Sequence, residues 1–304
     1  MSDKIPVILD TDIGSDIDDA VCLAYLLRQK RCDLLGVTTV SGEPQKRAAL
    51  ADAVCRAAGR TDIPIHSGCD RTIGGKMFQP ECPQAAVLPR FSHRPAEEFK
   101  PRTAIEFLRE QIHSRPGEIT LLTIGPLHNI GLLFAMDPEI PKLLKRLVLM
   151  CGVFTHRLQG YGPGMVEWNA KGDPLATDIV YRAPVKEHTS IGLEVTCKCQ
   201  MPSAECVDKF KKIGGPLSVV SAATEVWSKH GAKVTFHDPL ASAVIFKPEI
   251  CQYEEGKVDI DIKSDFVPGM TVFNTRAPEK PHRVAVDVNP EMFFEHYFSV
   301  TSGA

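Results

Sequence analysis

The chain has 304 residues, with 35 Lys+Arg against 38 Asp+Glu for a formal net charge of −3, and 43% hydrophobic and 24% charged residues. This ordinary globular composition, near-neutral and free of long basic runs, argues against a dedicated nucleic-acid binder or a protein held on an anionic membrane surface. No apolar stretch approaches the ~18 residues of a membrane span, and Met1-Ser2-Asp3-Lys4 runs straight into a strand without an export signal, so a cytoplasmic location is expected.

In chain order, residues 4–9 (KIPVIL) predict a buried strand that stops at a run of acids. Behind the acids, Ile17, Ala20, Val21, Ala24 and Leu27 recur at helical spacing. Residues 34–40 (LLGVTTV) predict a second strand, 47–58 a second helix and 63–65 a short third strand. The proline-rich stretch 66–101 has no clear period and is too long for a simple connector, which suggests a lid or binding loop. Residues 118–124, 146–150 and 187–192 predict further apolar strands, with a helix over 127–136. A glycine-rich crossing covers 155–171, with Gly160-Tyr-Gly-Pro-Gly164. Helices are expected over 203–213 and 216–230, then a hairpin over 258–272 and a terminal helix from Pro290. Strands apolar throughout that alternate with helices indicate a largely parallel sheet covered on both faces, in one domain. In such sheets ligands bind beyond the carboxyl ends of the strands, where the acid run falls.

Ten cysteines, at 22, 32, 55, 69, 82, 151, 197, 199, 206 and 251, read as reduced thiols packed as small hydrophobes. Cys197-x-Cys199 with Cys206 lacks the CxxC pair and matching second half of a zinc site.

The acid run carries the chemistry. Asp10, Asp12, Asp16, Asp18 and Asp19 place five carboxylates within ten residues. Helix capping uses one or two acids, and crowded carboxylates repel unless a cation or proton is shared. With no Cys or His interleaved, a hard cation such as calcium or magnesium suits the set better than zinc. Asp10-Thr-Asp12 after a strand also resembles the nucleophile loop of haloacid-dehalogenase-like phosphatases, although those carry Thr or Val where this chain has Gly14.

Taken with the rest of the chain, DTDIGSDIDDA (residues 10–20), VTTVSG (37–42), IGPLHNI (124–130), LVLMCG (147–152), EWN (167–169), GLEVT (192–196) and FHDPLA (236–241) resemble, in order, the inosine–uridine-preferring nucleoside hydrolases. The resemblance implies a single-domain, Rossmann-like α/β fold with an open, mostly parallel but mixed sheet. It implies calcium-dependent hydrolysis of a nucleoside to ribose and free base, a homodimer or homotetramer, and no nucleic-acid or membrane partner. The residues matching the calcium ligands are Asp10, Asp19, Asp238 and the main-chain carbonyl of Ile124, and the ion would also take the ribose diol and one water. Asp18 matches the general base for that water, and His237 the acid that protonates the departing base, a task suited to imidazole. Glu167 and Asn169 match ribose-binding residues, and Met150 matches a residue lining the sugar pocket. Asp18 and Asp238 would also touch the sugar.

Three departures bear on substrate contacts. Glu43 stands where relatives often carry Asn, and a carboxylate accepts from ribose hydroxyls but cannot donate. The acidic loop is two residues longer than DxDxGxDDA, so Ser15–Ile17 can reshape the pocket floor. Tyr161 replaces a second Asn. Trp168 is a candidate base-stacking residue, whereas Trp227, at helical spacing with Val219, Val220 and Ala223, reads as core. A phosphatase with Asp10 as nucleophile, or a ribosyl-binding module without turnover, are the alternatives.

Overall fold

The structure, a computed structural model, describes residues 4–74, 76–155, 165–229 and 231–303. Its strands are β1 (Ile5–Thr11), β2 (Cys32–Thr39), β3 (Ile65–Ser67), β4 (Thr120–Thr123), β5 (Arg146–Met150), β6 (His188–Ile191), β7 (Gln200–Pro202), β8 (Lys233–Thr235), β9 (Cys251–Asp261), β10 (Met270–Asn274) and β11 (His282–Val288). The helices are α1 (Asp18–Arg28), α2 (Pro44–Ala57), α3 (Ala104–Ser114), α4 (His128–Met136), α5 (Ile140–Leu143), α6 (Trp168–Gly172), α7 (Pro174–Arg182), α8 (Leu193–Thr196), α9 (Ser203–Ile213), α10 (Pro216–Trp227), α11 (His237–Phe246) and α12 (Pro290–Ser302).

Nine strands form one sheet in the order β10-β9-β11-β6-β5-β4-β1-β2-β3, and β7 pairs with β8 apart from it. From β3 to β11 in that order neighbouring strands are parallel, and at the far edge the pairs β11–β9 and β9–β10 are antiparallel, so β9 runs against the other strands of the sheet. The strand pleat divides the core. Val7 and Leu9 face the side covered by α1, α2, α10 and α12, while Ile8 joins Leu121, Leu147 and Leu149 under α3, α4 and α7. Burial on both faces explains why residues 5–9 of β1 are all apolar, with Asp10 and Thr11 at its carboxyl end.

From β1 the chain winds outward to β2 and β3, then crosses back to β4 on the other flank. The switch point therefore lies between the ends of β1 and β4, where Asp12 and Ile124 emerge. A second element feeds the same edge. Phe236 is fully buried, edge-on to Phe293 at 6.0 Å and Tyr297 at 5.5 Å from α12, and this packing fixes the turn that delivers His237 and Asp238.

Several expectations shift. The third strand lies two residues later than 63–65, and α2 starts at Pro44, whose fixed φ suits the first helical position. The 66–101 stretch contains two 3-10 helices, Pro83–Arg90 and Ala96–Glu98. Helices α3 and α7 and strands β7, β8 and β11 were not read from the pattern, and α10 ends at Trp227. Most of the glycine-rich crossing, Tyr161 included, and His230 lie outside the described residues. All ten cysteines are free, nine of them buried.

Candidate active site

At the switch point the strand ends open into a cavity of about 470 Å3. Its lining includes Asp12, Asp16, Asp18, Asp19, Asp238 and Glu167, and no Lys or Arg among the described residues. Asp18 and Asp19 open α1, and Asp238 lies in the first turn of α11. Oxygens of Asp18, Asp19 and Asp238 lie within 4.8 Å of one another, and all three residues are buried. The backbone N–H of Asp238 donates to Asp18 Oδ2 at 3.2 Å, and the Thr11 hydroxyl donates to Asp19 Oδ1 at 2.5 Å. Burial, then the charges of neighbouring acids, pushes Asp18, Asp19 and Asp238 well above the usual carboxylate range. Burial also raises Asp12, opposed first by the Arg47 guanidinium.

Asp10 does not line the cavity. One of its oxygens, Oδ1, accepts from the Thr38 hydroxyl (2.5 Å) and Asn129 Nδ2 (2.7 Å), which turns the side chain into the sheet, fully buried. Burial raises it to about 7, and among the described residues Oδ2 has no hydrogen-bond partner. The expected ligand Asp10 is thus turned away from the cavity, and Asp12 lies on it. The next-but-one acid lines the cavity, and a Cβ on Gly125 would sit 2.8 Å from Asp12 Oδ1. That contact puts the Asp12 carboxylate against the Ile124–Gly125 backbone, beside the expected carbonyl ligand. The same burial removes the phosphatase alternative, because Asp10 cannot meet a substrate.

Glu43 is also displaced. It sits at φ 56° before α2, its Oε1 pairs with Lys46 at 2.5 Å and its Oε2 accepts from the Cys82 N–H at 2.9 Å, so it does not line the cavity. Glu167, Trp168, Asn169 and Met150 do line it. Glu167 caps α6, accepting from the N–H groups of Asn169 (2.8 Å), Ala170 (2.9 Å) and Gly152 (3.0 Å). Asn169 Nδ2 bridges the carbonyls of Ile124 (2.8 Å) and Met150 (3.0 Å), tying the ends of β4 and β5.

His237 lines the cavity, with Nδ1 bonded to the Thr196 hydroxyl at 2.7 Å, and burial lowers it to about 4. Trp227 corrects the sequence reading. It packs partly on the core, yet it lines the cavity. Gln79, from the proline-rich stretch, was not singled out but also lines the site and accepts from the Trp168 indole N–H at 2.8 Å. Behind the floor, fully buried Arg47 donates to the carbonyls of Gly42, Asp12, Ile13, Gln79 and Glu81 and to the Ser15 hydroxyl. One side chain thus fastens the lengthened acidic loop to the wall that carries Gln79.

The acid set fits a hard divalent cation: carboxylate oxygens held in a tight group, raised first by burial and then by mutual repulsion, are what such an ion would neutralise. Fold and site define an open α/β protein with a carboxylate-floored, cation-competent cavity at its switch point. Residues 7–295 match the inosine-uridine preferring nucleoside hydrolase family, and the chain is an enzyme of that family. Pyrimidine-specific ribonucleoside hydrolase RihA of Enterobacter sp. (strain 638) is 28% identical over 308 residues, 96% of each chain. Uridine nucleosidase 1 of Arabidopsis thaliana is 27% identical over 275 residues, 84% of this chain and 78% of the other. The plant nucleoside hydrolase PpNRh1 superposes with a TM-score of 0.84 at 23% identity over 99% of both chains. The purine-preferring ribonucleoside hydrolase from Gardnerella vaginalis gives 0.82 at 23% over 98% of both, and these two solved structures bear on the fold alone. Among the described residues no helix is long and apolar enough to cross a membrane.

Proposed function

We propose that this enzyme hydrolyses the N-glycosidic bond of a ribonucleoside, releasing ribose and the free base, with a bound calcium ion. The observation that carries the reading is the buried Asp18–Asp19–Asp238 group within 4.8 Å, set beside Glu167 and Asn169 in one cavity. Asp12, Asp19, Asp238 and the Ile124 carbonyl would hold the ion. When bound, calcium would supply Lewis acidity to a water and to the ribose diol.

Asp18 then takes the proton of the attacking water. Its carboxylate is aimed by the Asp238 N–H, and burial raises it above the usual carboxylate range, which makes it more basic than an exposed aspartate. Glu167 Oε1 and the Asn169 amide hold sugar hydroxyls in the reacting orientation. As the C1′–N bond breaks, positive charge grows on the sugar ring, and the surrounding carboxylates stabilise it. His237, with Nδ1 taken by Thr196, offers Nε2 to the leaving nitrogen. Because burial keeps the ring neutral near pH 7, its contribution is a hydrogen bond that strengthens as the nitrogen gains electron density.

The names of the pyrimidine-specific and uridine-cleaving relatives support a pyrimidine nucleoside as the substrate. The test is ribose release from uridine by the parent and by Asp18→Asn. A loss of turnover of about 10²-fold or more is expected for a missing general base, and near-parent turnover by Asp18→Asn removes that role.

A further inference from the structure

We propose that Gln79 is a specificity-determining residue that presents a hydrogen-bond donor to the base and selects an exocyclic carbonyl over an exocyclic amine. The inference rests on the nucleoside hydrolase reading and extends it to the base.

The main chain at Gln79 is pinned. Its carbonyl accepts from the Gly42 N–H at 3.1 Å and from Arg47 Nη2 at 3.4 Å. A Cβ on Gly42 would sit 2.2 Å from the Pro80 carbonyl oxygen, so the two segments touch backbone to backbone. The side chain is then oriented by a group that can act in only one way. The Trp168 indole N–H donates and has no acceptor capacity, so the Gln79 atom 2.8 Å from it must be the amide oxygen. The amide nitrogen is left on the other side of the group. Among the described residues it has no hydrogen-bond acceptor, and Gln79 lines the cavity.

The cavity is polar in an uneven way. Its floor is carboxylates and Asn169, which suit sugar hydroxyls, whereas Trp168, 49% exposed, marks the mouth together with its partner Gln79. A nucleoside with its ribose on the floor turns the far edge of its base toward that mouth. There the Gln79 N–H groups pair with the oxygen on C4 of uracil or C6 of hypoxanthine. The amine of cytosine or adenine at the same place would set donor against donor, and an unmatched polar group in a ligand site costs more than a missing contact.

The test compares kcat/KM for uridine against cytidine and for inosine against adenosine, in the parent, Gln79→Glu and Trp168→Phe. Intrinsic differences in leaving ability cancel when each ratio is compared between variants. We expect a carbonyl-to-amine preference of about tenfold or more in the parent, the size of one neutral hydrogen bond. Gln79→Glu keeps an acceptor for Trp168 and turns a second oxygen to the base, so both ratios should fall at least tenfold. Trp168→Phe frees the amide to rotate, and both ratios should move toward one. Ratios that Gln79→Glu leaves unchanged, or an equal loss on all four nucleosides, overturn the inference while the reaction class stands. Release of ribose from none of the four by the calcium-loaded parent overturns the reaction class, and this inference with it.

Discussion

Asp10 and Asp12 differ by two positions, and replacing each by Asn separates an acid buried in the sheet from an acid of the site. In Asp10→Asn the amide oxygen can keep both bonds to Oδ1, from Thr38 and Asn129. Its NH2 then takes the position of Oδ2, which has no hydrogen-bond partner among the described residues, and a buried unpaired donor costs about 1–3 kcal/mol. That cost is offset above neutral pH, because burial raises Asp10 to about 7 and ionising it there is unfavourable. The variant should fold and bind calcium within about tenfold of the parent, as for loss of an outer-shell partner. Asp12→Asn removes a unit charge from the ion's surroundings. At an effective dielectric near 20 a unit charge about 4 Å from a divalent ion is worth several kcal/mol before desolvation, so a loss of at least hundredfold in affinity is expected. The assay is isothermal titration of chelator-stripped protein with calcium. Loss of binding in Asp10→Asn with retention in Asp12→Asn would refute the assignment of the two acids.

Glu194 tests the electrostatics away from the site. Its Oε2 accepts from the Phe154 N–H at 3.0 Å, Oε1 has no hydrogen-bond partner among the described residues, and burial raises it from 4.5 to about 7. A raised carboxylate stabilises the fold below its unfolded value and loses that contribution as pH rises through 7, so Glu194→Gln should gain up to about 3 kcal/mol at pH 8 and nothing at pH 4. Denaturant melts at both pH values check this, and an equal effect at the two would count against it. His237→Ala should slow inosine more than p-nitrophenyl riboside, whose leaving group needs no help, and equal losses in kcat/KM on both would sink the leaving-group role.

The sheet was legible because strands covered on both faces carry unbroken apolar runs, as residues 5–9 of β1, 121–122 of β4 and 147–150 of β5 do. Amphipathic α3 and α7 went unread because they border a proline-rich stretch and a glycine-rich one that mask their period. The site was legible as a cluster of residue types, and Asp18, Asp19, Asp238, Ile124, Glu167, Asn169 and His237 do line one cavity. What the sequence could not fix was direction. Asp10 and Asp12 are equivalent in composition, and only the register of Asp10 between Thr38 and Thr123 shows that it points into the sheet. Glu43 looked available until its left-handed backbone and its bonds to Lys46 and Cys82 were visible. Trp227 follows the core spacing of α10, but as the last residue of that helix it passes beyond the core into the cavity. Gln79 carries no motif, and its role appears only when Trp168 comes within hydrogen-bond reach.

The proposed enzyme cleaves a nucleoside in a cavity whose buried carboxylates hold a cation. The most direct measurement is reducing-sugar release from uridine, cytidine, inosine and adenosine by chelator-stripped protein, before and after calcium is restored. No release is expected without the ion, and ribose from at least one nucleoside is expected with it. Undiminished release after complete stripping, or none after calcium is returned, would contradict the proposed function.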